Sequence, residues 1–270
     1  MPELPEVETT RLGIAPHLIG RTVSGVLVRE RRLRWPVPAR LARALPGQMI
    51  KDVWRRAKYL LLTLDHGSLI LHLGMSGSLR IVADSQPPGK FDHLDLVLDN
   101  GRCLRLRDPR RFGSAHWTEA APERHVLLER LGPEPLGPDF TPDYLFRVTR
   151  GRRRAVRDLL LDSHIVAGIG NIYANEALFR ASIDPRRAAG RISRDRCARL
   201  IEALRVTLAA AIRAGGTTLR DFSSNGRPGY FQQTLAVYGR RGEPCPECGA
   251  AVRAVRLGQR SAFFCPRCQR

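Results

Sequence analysis

The sequence predicts a multidomain α+β protein: a strand-rich sandwich or barrel, then an α-helical bundle, then a metal-pinned hairpin. Three observations carry that prediction. Alternating or continuous apolar runs dominate positions 20 to 118, a helical apolar period replaces them beyond a proline-rich break, and four cysteines stand in two C-x2-C pairs near the end.

The chain opens MPELPEVE. Pro5 suits the first turn of a helix, where its missing N–H needs no partner, and Glu6 and Glu8 suit the positive end of the helix dipole. Neither argument explains Pro2 or Glu3. Next, TVSGVLV alternates, YLLLTLDHGSLILHL is two apolar runs around an Asp-His-Gly turn, and HLDLVLDNGRCLRLR is a hairpin turning at Asn100-Gly101. Two loops of different chemistry interrupt the strands. GMSGS (Gly74 to Ser78) is glycine-rich around one Met, and DPRRFG (Asp108 to Gly113) carries two arginines and a Phe after a turn-forming Pro.

Between Gly132 and Pro142 the chain reads GPEPLGPDFTP, with four prolines and two glycines, a linker composition that marks a domain boundary. Beyond it Cys197, Leu200, Ile201, Leu204, Leu208 and Ile212 share one helix face, and Gly215-Gly216 ends the helix. LLLDSHIVAGIGNIYANEALF places a glycine-rich bend before a helix opened by Asn171. That arrangement suits either a phosphate at the helix N-terminus or simple close packing of helices.

Cys245, Cys248, Cys265 and Cys268 form C-x2-C-x16-C-x2-C. This is the spacing of a tetrathiolate zinc site, closed to further ligands and therefore structural. Two disulfides are the alternative, but the spare thiols of Cys103 and Cys197 and the lack of a signal peptide favour a reducing compartment. The hairpin between the pairs carries Arg253, Arg256 and Arg260, with Arg267 beyond it. A guanidinium in its GQR turn could grip a phosphate through two parallel hydrogen bonds, although solvated arginines are the plainer reading.

Composition narrows the partner. The 270 residues hold 45 basic against 26 acidic side chains, a formal charge of +19, which points to a polyanion, nucleic acid before a membrane surface. No apolar run is long enough to span a bilayer, so a cytoplasmic, nucleoid-associated monomer is expected. Only Lys51, Lys58 and Lys90 are lysines, so a retained Lys can mark a place that needs a compact ammonium or a titratable amine. Removal of Met1 would leave Pro2 with a free secondary amine, whose ordinary pKa of about 8 leaves a reactive fraction unprotonated. Attack on a sugar carbon by such an amine gives a cationic iminium, an electron sink from which phosphate elimination follows. Glu3 stands beside it as a proton donor and acceptor.

PELPEVE, RRAKYLLL, HLGMSGSLR, DPRRFG, LGPEPL, VAGIGNIYANE, GGTTLRDF, GRPGYFQQ and the four-Cys finger together resemble the formamidopyrimidine-DNA glycosylases, in matching order from end to end. The resemblance implies an N-terminal β-sandwich catalytic domain with flanking helices (1–132), a linker (133–149), a helix-two-turn-helix DNA-binding domain (150–234) and a zinc finger (235–270), with DNA in the cleft between. It implies that duplex DNA containing oxidised purines is the partner, that one structural zinc is held by the four cysteines, and that base excision is followed by β,δ-elimination. Pro2 would be the nucleophile, Glu3 the general acid and base, Lys58 a catalytic-site phosphate contact, and Glu6 an assisting carboxylate. His72, Met75, Arg110, Phe112, Asn171 and Arg260 would contact DNA, with Met75, Arg110 and Phe112 filling the space of the extruded base, an extrusion that costs a few kcal/mol. Residues 215 to 231 would close over that base. The chain departs from the family at Arg157, Ser163 and Arg220; at Arg157 and Arg220 a lysine is usual, and the change to a planar fork keeps the charge a phosphate contact needs while leaving open a role in base recognition or product release. An endonuclease VIII-like oxidised-pyrimidine glycosylase and a non-catalytic damaged-DNA-binding protein are the alternatives.

Overall fold

The computed structural model describes residues 2–216 and 235–270. The expected closing segment, apart from Gly215 and Gly216, and Arg220 with it lie outside the described residues. The chain divides into two compact units: Met1–Arg130, to which Gly215 and Gly216 also belong, and Leu131–Ala214 with the C-terminal residues from 235 on.

The first unit opens with helix α1 (Leu4–Leu18), with Glu3 as its extended N-cap and Pro5 in its first turn. Its inward residues Val7, Ile14 and Leu18 are fully or almost fully buried. After β1 (Val23–Val28) and the short α2 (Leu41–Ala44) come β2 (Ile50–Arg56), β3 (Tyr59–Leu64), β4 (Gly67–His72), β5 (Ser78–Ala83), β6 (Asp92–Leu98), β7 (Arg102–Arg107) and β8 (Ser114–Thr118). They form two four-stranded sheets, ordered β1-β6-β7-β5 and β2-β3-β4-β8, with antiparallel pairing throughout. The period of two is visible in the core: Leu60, Leu62 and Leu64 from one sheet meet Leu94, Leu96, Leu98, Leu104 and Leu106 from the other in one apolar cluster. The strands therefore make a sandwich rather than a barrel, and α1 flanks it against β2, β3 and β5. Both expected hairpins turn where the sequence places them, Gly67 at φ +137° and Gly101 at φ +72°, backbone conformations that favour glycine.

The second unit contains α3 (Pro142–Thr149), α4 (Val156–Leu160), α5 (Asn171–Arg180), α6 (Arg194–Arg213) and a hairpin of β9 (Arg253–Leu257) and β10 (Arg260–Phe264). On α6, Cys197, Leu200, Ile201, Leu204 and Leu208 are buried as the helical period requires, while Ile212 is only half-buried. The C-terminal part of the expected linker 133–149, from Pro142 on, is helix α3. Thr141 caps α3 by accepting a hydrogen bond from the Tyr144 N–H, Phe140 is fully buried, and the helix packs on α6. A proline at the first helical position starts a helix rather than prolonging a loop. Among the described residues no helix is long and apolar enough to cross a membrane.

Candidate functional site

The first turn of α1 gathers the N-terminal candidates. Glu3 is 3% exposed and Glu6 fully buried, and the two form a reciprocal capping box in which the Glu6 carboxylate accepts the Glu3 N–H at 2.8 Å. Pro2, half-buried, precedes them directly. The helix is tied to its sheet by charge. Glu8 accepts hydrogen bonds from Arg11 and, at 3.0 Å, from Arg55 on β2, and Arg11 also reaches the Val53 carbonyl. Burial alone would raise the Glu8 carboxyl; the two guanidinium groups outweigh it and hold the group below its ordinary pKa.

The Arg55 guanidinium donates a second bond to the Ala57 carbonyl, at the two-residue turn Ala57-Lys58 that joins β2 to β3. Ala57 adopts a left-handed φ of +53°. One ion pair thus fixes the helix carrying Pro2 to the strand that leads into the Lys58 turn. His72, across the β3–β4 pair from Tyr59, packs against the Tyr59 ring in a tilted arrangement with centroids 4.8 Å apart and accepts the Gly74 N–H through Nδ1. Its pKa is pushed down to about 4, by burial first and then by the positive charges of Lys58 and Arg34. The imidazole is neutral at physiological pH.

The two odd loops are one structure. Asp108, fully buried, accepts from Ser76 Oγ at 2.7 Å and from the Gly113 N–H at 2.7 Å, and its own carbonyl pairs with His93. Gly74, at φ +63°, lies so close that a Cβ there would stand 2.3 Å from the Phe112 carbonyl carbon. Clamped in this way, the loops present Met75 and Phe112 outward, 42% and 41% exposed, with the Arg110 guanidinium 4.8 Å over the Phe112 ring. The structure therefore brings Met75, Arg110 and Phe112 onto one tip. A loop Met or Phe packed beneath the surface, the commoner case, is not what is found.

In the second unit Asn171 opens α5 after Gly170. Its Nδ2 donates to the Ser261 carbonyl of β10, and Asn175 one turn on accepts the Phe263 N–H at 2.7 Å. Arg157 is 1% exposed, and its Nη2 donates to the carbonyls of Leu257 and Arg260 at 3.1 and 2.9 Å. Burial lowers its pKa against the opposing pull of Asp158. Its Nη2 is thus occupied by hairpin carbonyls and its Nη1 by Asp158 at 2.9 Å. What it does is hold the two-residue turn, Gly258-Gln259, beside which the exposed Arg260 projects.

The four cysteine sulfurs lie within 4.8 Å of one another, with Cys245–Cys268 at 3.9 Å and Cys248–Cys265 at 3.5 Å. A tetrahedral zinc with sulfurs at about 2.3 Å needs edges of about 3.8 Å, so the set fits one ion. Gln269, 2% exposed, supports it by accepting the Cys265 N–H and donating to the Ile183 carbonyl. Sequence reasoning missed Asp108, Gln269 and Glu176, whose carboxylate accepts the N–H groups of Ala236, Val237 and Tyr238. Of these only Asp108 carries a local signal, an Asp before Pro in a turn.

A sandwich whose first helix follows a Pro-Glu pair, together with a helical unit carrying a four-thiolate zinc site, is the architecture of a zinc-finger DNA-repair enzyme. Residues 1–115 match the family described as formamidopyrimidine-DNA glycosylase N-terminal domain, 131–223 its H2TH domain, and 242–270 the zinc finger found in FPG and IleRS. The formamidopyrimidine-DNA glycosylase of Alkalilimnicola ehrlichii is 60% identical over 277 residues, covering 100% of both chains. Among solved structures, the MutM (Fpg) protein of Thermus thermophilus is 42% identical with a TM-score of 0.87, over 99% of this chain and 98% of that one. The Lactococcus lactis Fpg, solved with DNA containing an abasic site, is 32% identical with a TM-score of 0.92 over 100% of both. The chain belongs to the formamidopyrimidine-DNA glycosylase family, whose members are DNA glycosylases with abasic-site lyase activity.

Proposed function

We propose that this protein, as a monomer, excises oxidised purines such as 8-oxoguanine and formamidopyrimidines from duplex DNA, with Pro2 as its nucleophile once Met1 is removed. The observation that supports the reading is the capping box: Glu3, 3% exposed, and Glu6, fully buried, follow Pro2 at the start of α1. The Pro2 nitrogen attacks C1′ of the damaged nucleotide and the C1′–N bond to the base breaks. Glu3 supplies the proton for ring opening, and O4′ leaves C1′ to give a C1′ iminium. Removal of a C2′ proton expels the 3′ phosphate, loss of a C4′ proton expels the 5′ phosphate, and water hydrolyses the remaining conjugated iminium to free Pro2 and an unsaturated aldehyde, leaving a gap with phosphate at both ends. Glu6 orients the nucleophile through the Glu3 backbone. The tip of Met75, Arg110 and Phe112 occupies the space of the extruded base and contacts its former partner, and His72 supports that tip. Lys58, Asn171 and Arg260 hold phosphates around the lesion.

Borohydride trapping of the processed chain on an 8-oxoguanine duplex tests this. A covalent adduct is expected with the parent, none with Pro2→Gly, and slow formation with Glu3→Gln. An adduct preferring a thymine glycol duplex would favour the oxidised-pyrimidine alternative. No adduct with the parent protein would overturn the catalytic reading.

A further inference from the structure

Gly215 and Gly216 serve the sequence argument only as a helix stop, yet Gly216 does something a stop signal does not require. It is buried, it adopts φ +79°, and a Cβ built on it would stand 2.9 Å from Glu6 Oε1, 3.1 Å from Glu6 Cγ and 3.3 Å from Glu6 Cδ. The first of these distances is shorter than real Cβ atoms show and the other two are tight, so a side chain at 216 presses on the Glu6 carboxylate. That carboxylate has little room to yield. It is fully buried, and its other oxygen holds the Glu3 N–H at 2.8 Å. Moving it releases the amide that follows Pro2.

We propose that Gly216 is a positioning residue for the imino terminus: the missing side chain is the space in which the Glu6 carboxylate stands while it fixes the Glu3 backbone. This rests on the reading of Pro2 as nucleophile. It adds that Gly216 tunes the reaction through Glu6. The inference has an internal control. Gly20, at the end of α1, has the same φ of +79° with nothing within 4 Å of its Cβ, so Gly20→Ala carries the left-handed backbone strain without the steric clash.

The experiment uses processed full-length protein on an abasic-site duplex, which removes base recognition from the measurement. Single-turnover trapping at saturating DNA, DNA affinity and hydrogen exchange at the Glu3 amide are read for Gly216→Ala, Gly20→Ala, Glu6→Asp and the Gly216→Ala/Glu6→Asp pair. Gly216→Ala is expected to slow trapping about tenfold or more, to change affinity less than about twofold, and to speed exchange at Glu3. Gly20→Ala is expected to trap at the parent rate. In the Glu6→Asp background, with the carboxylate already withdrawn, Gly216→Ala is expected to cost less than about twofold more. Parent-like trapping by Gly216→Ala, a loss shared equally by affinity, or full multiplication of the two effects would each overturn the proposal. Should Gly216→Ala not fold, the paired variant decides, since relief of the clash restores folding and its absence refutes it. Failure of the parent to trap would instead overturn the nucleophile assignment.

Discussion

The N-terminal corner and the C-terminal hairpin solve the same problem, holding a few reactive or charged groups in place, with different materials. Around Pro2 the chain has a large apolar core, to which α1 contributes Val7, Ile14, Ala15 and Leu18, and it locates groups with buried or half-buried carboxylates: Glu6 on the Glu3 N–H, Glu8 on Arg55, Asp108 on both loops. Among the described residues, the buried apolar cluster beside the hairpin is small, Phe179, Val237, Cys245, Val252 and Cys265, with partly buried side chains such as Phe263 packed on it, and two of the five are zinc-site cysteines. A segment of that size cannot bury enough surface to fold alone, and thiolate–metal bonds replace the missing core. The corner should therefore resist chelation and yield to loss of a single acceptor; the hairpin should do the reverse.

Chelation gives the largest expected effect. Zinc removal, or Cys248→Ser, forfeits on the order of 10 kcal/mol of metal-binding free energy and unfolds the hairpin. Hydrogen exchange should rise across 253–264 while β3 and β4 stay protected. Equal loss in both regions would break the contrast.

Next comes Asp108→Ala, which leaves Ser76 Oγ and the Gly113 N–H without their buried acceptor. A cost of about 2–4 kcal/mol is expected in urea titrations of the zinc-loaded protein, with chelator resistance of the finger unchanged.

Acid probes the corner without mutation. His72 is held at about 4 in the folded state against its ordinary 6.5, so between those values the unfolded chain binds more protons. Stability is fully present above about pH 6.5 and is lost as pH falls toward 4, by at most about 3 kcal/mol from this group. His72→Asn keeps an acceptor for the Gly74 N–H, and urea titrations at pH 7 and pH 4.5 should show a smaller difference than in the parent.

The smallest effect is at Arg157, where a buried cation assists the metal. Arg157→Met leaves the Leu257 and Arg260 carbonyls short of a donor and should cost about 1–2 kcal/mol, read as faster zinc loss to a chelator. Stability of the sandwich should not change.

Much of this was legible in residue order, and the unreadable part has a physical pattern. Cysteine spacing, the α6 period and the Asp-His-Gly and Asn-Gly turns are local signals, and each locates its element. Met75 and Phe112 are visible as unusual loop residues, but their exposure depends on Asp108 reaching across 32 positions to Ser76. Arg157 reads as a surface cation because nothing nearby announces that carbonyls 100 and 103 residues away will surround it. The tight fit of Gly216 on Glu6 is likewise a contact between distant segments, hidden behind a glycine pair that reads as a helix end. Groups that act through long-range hydrogen bonds leave little trace in a single sequence.

The central claim is that the terminal imino nitrogen, held by Glu3 and Glu6, forms the bond to deoxyribose. Peptide mapping by mass spectrometry of the borohydride-reduced complex with an abasic-site duplex tests it most directly. A sugar remnant on the N-terminal nitrogen of Pro2 in chains lacking Met1 is the predicted result; a remnant on Lys58 Nζ, with Pro2 unmodified, would contradict the account.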